Sequence, residues 1–226
     1  MKLLPTIRTC DELCSLVEEV GFLPFFSNEM PGFSVMDITR SSPWWSSDEK
    51  RDPWQWRIQI AKGGKIAYGK FFKNKAGFIS NEWLPVFANY RRDGYDFDTL
   101  FELGRAPRRA KLIMDLFESR AALPSFEIRR LAGFGKDGEK GFSGVITSLQ
   151  MQMYITTSGF ERKKNKQGAE YGWPVSIFST VEEIFGYDYA KSKYTDDPAK
   201  SLDSIFEQSK KYIDGAYDDE ILKFIK

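Results

Sequence analysis

Leu13, Leu16, Val17 and Val20 recur at one-turn intervals, which predicts an amphipathic helix over residues 10–20. Thr9 and Glu12 form a capping box in front of it, and Gly21 supplies the stop. Residues 22–26 are an apolar, extended run broken by Pro24. Residues 27–57 are punctuated by Pro31-Gly32, Pro43 and Pro53 and read as loop-rich. Asp52 as N-cap and Pro53 at the first position then set up a helix through residues 54–60. After the turn at residues 62–65, apolar stretches at 66–68, 71–72 and 76–79 predict a hairpin whose loop carries Lys73-Asn74-Lys75. Ser80 is placed to cap a helix containing Trp83, Leu84, Val86, Phe87 and Tyr90, ended by residues 91–94.

Residues 107–178 read as one unit. Pro107 opens the longest clean helix, running to about Ser119, and Ser125 caps a short helix ended by Gly133. Ser143 begins a third helix with Val145, Ile146, Leu149 and Met153 along its apolar side. Segments at 154–157, 159–162 and 171–178 then predict a three-stranded ribbon with a basic tip at residues 163–168. Three helices followed by a ribbon with a protruding tip is the order of a winged helix, a helix-turn-helix with a β-wing. Thr180 and Glu183 form a second capping box, and the tail from Asp197 is an amphipathic helix pair carrying Leu202, Ile205, Phe206, Ile213, Ile221, Leu222 and Phe224.

With 226 residues, the chain has room for one large domain or two small ones, and 15% aromatic residues exceed what a minimal core needs. The net charge of +1 gives no global polycation. The charge is uneven, however: between residues 62 and 92 seven Lys and Arg face only Glu82, whereas acids outnumber bases after Thr180. A basic middle with an acidic tail suits a local anionic partner. Histidine is absent, which excludes histidine-based proton relays, serine triads and every histidine-containing metal site. The two cysteines, Cys10 and Cys14, lie four apart on a predicted helix, poorly placed for a disulfide. No metal and no cofactor are expected. Free thiols point to a reducing cytoplasm, and no apolar stretch predicts a signal peptide or a membrane span.

The candidate chemistry is mainly a binding surface. Arg162, Lys163, Lys164 and Lys166 sit on or beside a protruding tip, where a phosphate backbone would attract them and release counterions. The alternative is a solvated hairpin whose charges keep its edge soluble. Lys73 and Lys75 offer a second basic loop. The third helix presents Gln150 and Gln152, and a glutamine amide can pair with adenine in the major groove. It carries no Arg or Lys, so weak or structure-directed recognition fits better than operator reading. The cluster Trp44, Trp45, Trp54 and Trp56 either fills a core beneath long loops or stacks on an unpaired base. Glu29, Asp52 and Gln55 are the polar groups near it that could activate water at a sugar carbon. The glycines form no phosphate loop and no dinucleotide fingerprint.

The run over residues 68–87, Tyr-Gly-Lys-Phe-Phe-Lys-Asn-Lys through Pro85-Val-Phe87, resembles a segment of the AlkZ/YcaQ-type winged-helix DNA glycosylases in which a strand leads through a small turn into a helix. Residues 21–26, Pro31-Gly-Phe-Ser34, Trp44-Trp45, residues 52–57 and residues 89–94 more closely resemble a bacterial group described as AlkZ-related, over most of the chain. The resemblance implies winged-helix modules and DNA as the partner. Those glycosylases handle the attacking water with a Gln-x-Gln or Gln-x-Asp motif near the N-terminus. Here Gln150-Met-Gln152 falls in a later helix, so the catalytic role is not carried onto it.

The resulting expectation is an α+β protein. An aromatic-rich α/β module spans residues 1–104, a winged helix residues 105–178, and a helical extension residues 179–226. Its expected role is binding of damaged or distorted DNA. Two alternatives stay open: an N-glycosidic hydrolase acting on a DNA base, and a non-enzymatic protein-interaction module.

Overall fold

Thr9 Oγ1 accepts the Glu12 amide at 3.2 Å, so α1 (Cys10–Val20) begins there and ends at Gly21. The computed structural model describes residues 3–46, 48–213 and 215–226, and over these the chain is α+β with two small antiparallel sheets. The stripe Leu13, Leu16, Val17 and Val20 is buried. Gly21 has φ +95°, and a Cβ there would lie 2.5 Å from the Trp83 ring. Conformation and space both demand glycine. Gly21→Ala is expected to cost about 2 kcal/mol in urea unfolding; an unchanged midpoint would mean that Trp83 moves aside freely.

The first sheet has the order β1-β3-β2, with β1 (Phe22–Pro24), β2 (Ile66–Phe72) and β3 (Lys75–Ser80). Lys73 and Asn74 close the β2–β3 hairpin with φ of 45° and 64°, a two-residue turn whose twist matches the strands. Lys75 is already in β3, paired with Phe72. Helices α2 (Val35–Ile38) and α3 (Pro53–Gly63) precede the hairpin, and Asp52 caps α3 as expected, accepting the Trp54 amide. Ser80 does not cap α4 (Leu84–Arg92). Its backbone belongs to the sheet, pairing with Ile66 and donating to the Gly21 carbonyl at 2.8 Å, and α4 starts without a side-chain cap. Of the four clustered tryptophans, Trp44 and Trp56 are buried and Trp54 packs against Phe25 and Phe26, whereas Trp45 is exposed.

The second half runs α5 (Phe97–Glu102), α6 (Arg108–Met114), β4 (Leu123–Pro124), α7 (Ser125–Leu131), α8 (Phe142–Met151), β5 (Ile155–Lys164) and β6 (Glu170–Thr180). The helix after Pro107 is shorter than expected, because it tightens into a 3-10 turn over residues 115–118. Neither Ser125 nor Ser143 caps a helix: Pro124 and Gly141 hold those positions. The sheet order is β4-β6-β5, so the third strand comes from Leu123-Pro124, ahead of α7. The segments at 154–157 and 159–162 form one strand, since the pairing absorbs Ser158 as a bulge. Beyond it, α9 (Val181–Phe185), α10 (Tyr187–Ala190), α11 (Pro198–Lys210) and α12 (Asp218–Ile225) complete the chain; Thr180 caps α9 through the Glu183 amide.

Two hydrophobic clusters result. One joins the first sheet to α1, α3 and α4 and includes Ile205, Ile221 and Phe224 of the tail. Phe224 stacks on Phe72 with centroids 5.6 Å apart, so the extension packs on the N-terminal core. The other is built from Ile113, Ile128, Leu149, Ile155 and Phe178. Polar bonds tie the two together. Thr156 Oγ1 donates to the Tyr68 carbonyl at 3.0 Å, and the Lys70 amide donates to Gln150 Oε1 at 3.0 Å. Arg91 Nη1 donates to the Met151 carbonyl at 3.1 Å. Among the described residues no helix is long and apolar enough to cross a membrane.

Candidate functional site

Where β2 meets α8 and β5, the two clusters leave a groove of about 600 Å³ between them. Its walls include Trp54 and Arg57 of α3, Tyr68 and Lys70 of β2, Lys75 of β3, Ser143 and Thr147 of α8, Phe160 of β5 and Ser176 of β6. Among the described residues three cationic side chains line it and no acidic one does.

Arg57 is the unusual member. The spacing of Trp54 and Arg57 puts both on one face of α3. The guanidinium carbon lies 3.7 Å from the Trp54 ring centroid and 4.2 Å from that of Phe160, so two rings pack against it. The residue is 5% exposed, its Nε is buried without a hydrogen-bond partner, and no acid lies at ion-pair distance from it among the described residues. Burial holds its pKa below the ordinary value, against an opposing pull from Tyr68 and a smaller one from Asp52. Burial likewise pushes Tyr68 up to about 12, with Arg57 working the other way.

Beyond the groove the β5–β6 ribbon extends outward. Arg162, Lys163, Lys164 and Lys166 are all exposed, and none has an acid at ion-pair distance among the described residues. The tip is shaped by Asn165, whose Oδ1 accepts the Gln167 and Ala169 amides. Lys163 Nζ reaches back to 5.5 Å from the Phe126 ring, next to Ser125 at the groove wall. Between the pairs Glu161↔Val175 and Lys163↔Tyr171 the register shifts. Gly172, at φ +73°, turns the extra backbone outward, and Trp173 is 84% exposed. Sequence reasoning did not single out Trp173 as a site residue. The signal was available: an aromatic residue in a polar ribbon, one position after a glycine.

The remaining candidates are spread more widely. Lys75 lines the groove, while Lys73 pairs with Glu29 at the hairpin tip. Gln150 is buried, its amide donating to the Ile146 carbonyl while its oxygen accepts from Lys70. Gln152 is half-buried and donates to Ser148 Oγ at 3.2 Å. Glu29 is exposed; burial pushes its pKa up, but the hydrogen bond and charge of Lys73, with a backbone hydrogen bond and Lys75, together outweigh it and hold the pKa down. Asp52 is buried, and its Oδ1 accepts the Trp45 and Trp54 amides. Neither acid lines the groove, and neither does Gln55. Cys10 and Cys14 are free, half-buried thiols. No group of three potential metal ligands occurs among the described residues.

A family model described as AlkZ related matches residues 7–226. No curated protein matches the chain, and no solved structure does.

Proposed function

The chain belongs to the AlkZ-related family, and from that premise and the charge of the groove we propose that it is a cytoplasmic DNA-binding protein that grips the backbone of damaged or distorted DNA. The order α6-β4-α7-α8-β5-β6, with the sheet arranged β4-β6-β5, supports reading residues 105–178 as a winged helix. The observation that carries the proposal is the positive charge of the groove. Arg57, Lys70 and Lys75 line it with no acid among its described lining residues, and Lys163 of the ribbon reaches Phe126, next to Ser125 of the groove wall.

The polar residues of α8 favour backbone over base reading. Gln150 is already bonded on both ends of its amide, and the exposed positions are the small residues Ser143, Gly144 and Ser148. Phosphate contacts of this kind fix a protein on DNA without reading sequence. The polar groups weighed for glycosidic hydrolysis, Glu29, Asp52 and Gln55, do not line the groove.

The test is titration of a labelled duplex with the purified protein across a salt series. Log affinity is expected to fall linearly with log salt; absence of saturable binding, or a flat salt dependence, would remove the proposal. Trp173 carries a second expectation. An exposed ring beside lysines is suited to stacking on an unpaired base. Trp173→Ala should weaken binding to a duplex with a single-nucleotide gap by about 1–2 kcal/mol and affect the intact duplex less. Equal losses on both would mean that the ring meets only the backbone.

A further inference from the structure

We propose that Arg57 is the seat of one phosphate group of a nucleotide, received edge-on at the floor of the groove. The guanidinium carbon packs 3.7 Å from the Trp54 ring centroid and 4.2 Å from that of Phe160, and the Tyr68 hydroxyl takes one hydrogen bond from it, while Nε has no partner. The in-plane edge of a guanidinium matches the paired oxygens of an oxyanion, and a rigid planar fork holds them better than an ammonium can. The cation is nearly sealed from solvent, its Nε lacks an acceptor, and no acidic side chain pairs with it among the described residues. A buried cation whose side-chain partner is a neutral hydroxyl is costly to a fold. An arriving phosphate supplies an anionic partner. Lys70 and Lys75 add two further charges to the lining, where Lys70 Nζ donates to Thr147 Oγ1 at 3.4 Å and Ser143 lies on the same helix. A volume of about 600 Å³ is in the range of small-molecule sites and exceeds what a lone ion needs.

The inference rests on the reading of this groove as the nucleic-acid-facing side of the protein. The phosphate has two possible sources, a phosphodiester within a DNA strand or the phosphate of a free nucleotide. Calorimetric titration of the full chain with inorganic phosphate, deoxyadenosine monophosphate and a short duplex separates them. Arg57→Met keeps the stacked volume without the charge, and Arg57→Lys keeps the charge without the planar edge. At least one probe is expected to bind the unaltered protein saturably, with affinity at least tenfold lower in Arg57→Met and clearly lower in Arg57→Lys. Thermal melts should show both variants folded; if Arg57→Met fails to fold, the lysine variant decides. Unaltered affinity in the folded variants, or no saturable binding of any probe, overturns the proposal. Duplex binding that keeps its salt dependence while ignoring both substitutions sinks this inference and leaves the DNA reading standing. Arg57-dependent binding of the mononucleotide without duplex binding does the reverse.

Discussion

Replacing Lys163, Lys164 and Lys166 together by alanine is expected to weaken binding to a short DNA duplex by about 10- to 100-fold near 0.1 M salt. The same change should reduce the slope of log affinity against log salt by about 2 to 3, since each phosphate contact contributes close to 0.9. The magnitude follows from the setting of these side chains. All three are exposed, none is paired with an acid among the described residues, and their charge is therefore free for an external polyanion. For the same reason the fold should lose little, within about 0.5 kcal/mol, because no buried contact is removed. A charge-matched control is available in Lys193, Lys210 and Lys223, each beside an aspartate on the C-terminal elements. Their triple alanine variant should leave the slope unchanged. Fluorescence anisotropy over a salt series reads both quantities. Equal slopes for the ribbon variant and the unaltered protein would take the ribbon out of the interface.

The elements with strong local punctuation were legible from the residues. α1 matches its expected bounds because a capping box, a regular stripe and a glycine stop all agree. The cap of α3 at Asp52 and the two-residue turn of the first hairpin are similarly local. What failed depended on partners distant in sequence. Leu123-Pro124 is too short to show alternation and becomes a strand only because β6 lies beside it. Ser80 has the chemistry of a cap, but its amide is drawn to Gly21 across the sheet. The basic tip of the β5–β6 ribbon was readable because charge needs no partner to be recognised. The groove was not: Phe160 lies about a hundred residues beyond Trp54 and Arg57, and no sequence pattern announces that its ring meets the same guanidinium as the tryptophan does. The tail could be read as an amphipathic helix pair, but not that its Phe224 would stack on Phe72.

Arg92→Ala is expected to destabilise the protein by about 3–5 kcal/mol, the usual consequence of removing one member of a buried charged network. Arg92 lies at the end of α4, fully enclosed, and donates to the Glu182 carboxylate, to the Tyr194 hydroxyl at 2.8 Å and to the Met153 carbonyl. Its guanidinium also lies 4.6 Å from the Tyr154 ring centroid. One side chain thus connects the helix of the first core with the backbone leading into β5 and with α9. Alanine would leave the Met153 carbonyl without its donor and Glu182 without its cation. Lysine restores the charge but cannot reach three acceptors in a fixed plane, so Arg92→Lys should recover only part of the loss. The pH dependence has a definite sign. Burial works against the charge of Arg92, but Glu182 and Tyr194 outweigh it and raise the pKa above the ordinary arginine value. A raised pKa gives a contribution that is complete below the unfolded value and lost only as pH rises through the folded one. The stability difference between the unaltered protein and the Arg92→Ala variant should therefore stay constant from about pH 6 to pH 9. Urea titration followed by tryptophan fluorescence, which reports Trp44 and Trp56 in the first core, measures the loss. Hydrogen exchange at Ile155 and Phe178 then tests whether the second core opens first once the clamp is gone. A loss below about 1 kcal/mol would mean that the two cores hold together through their apolar contacts alone.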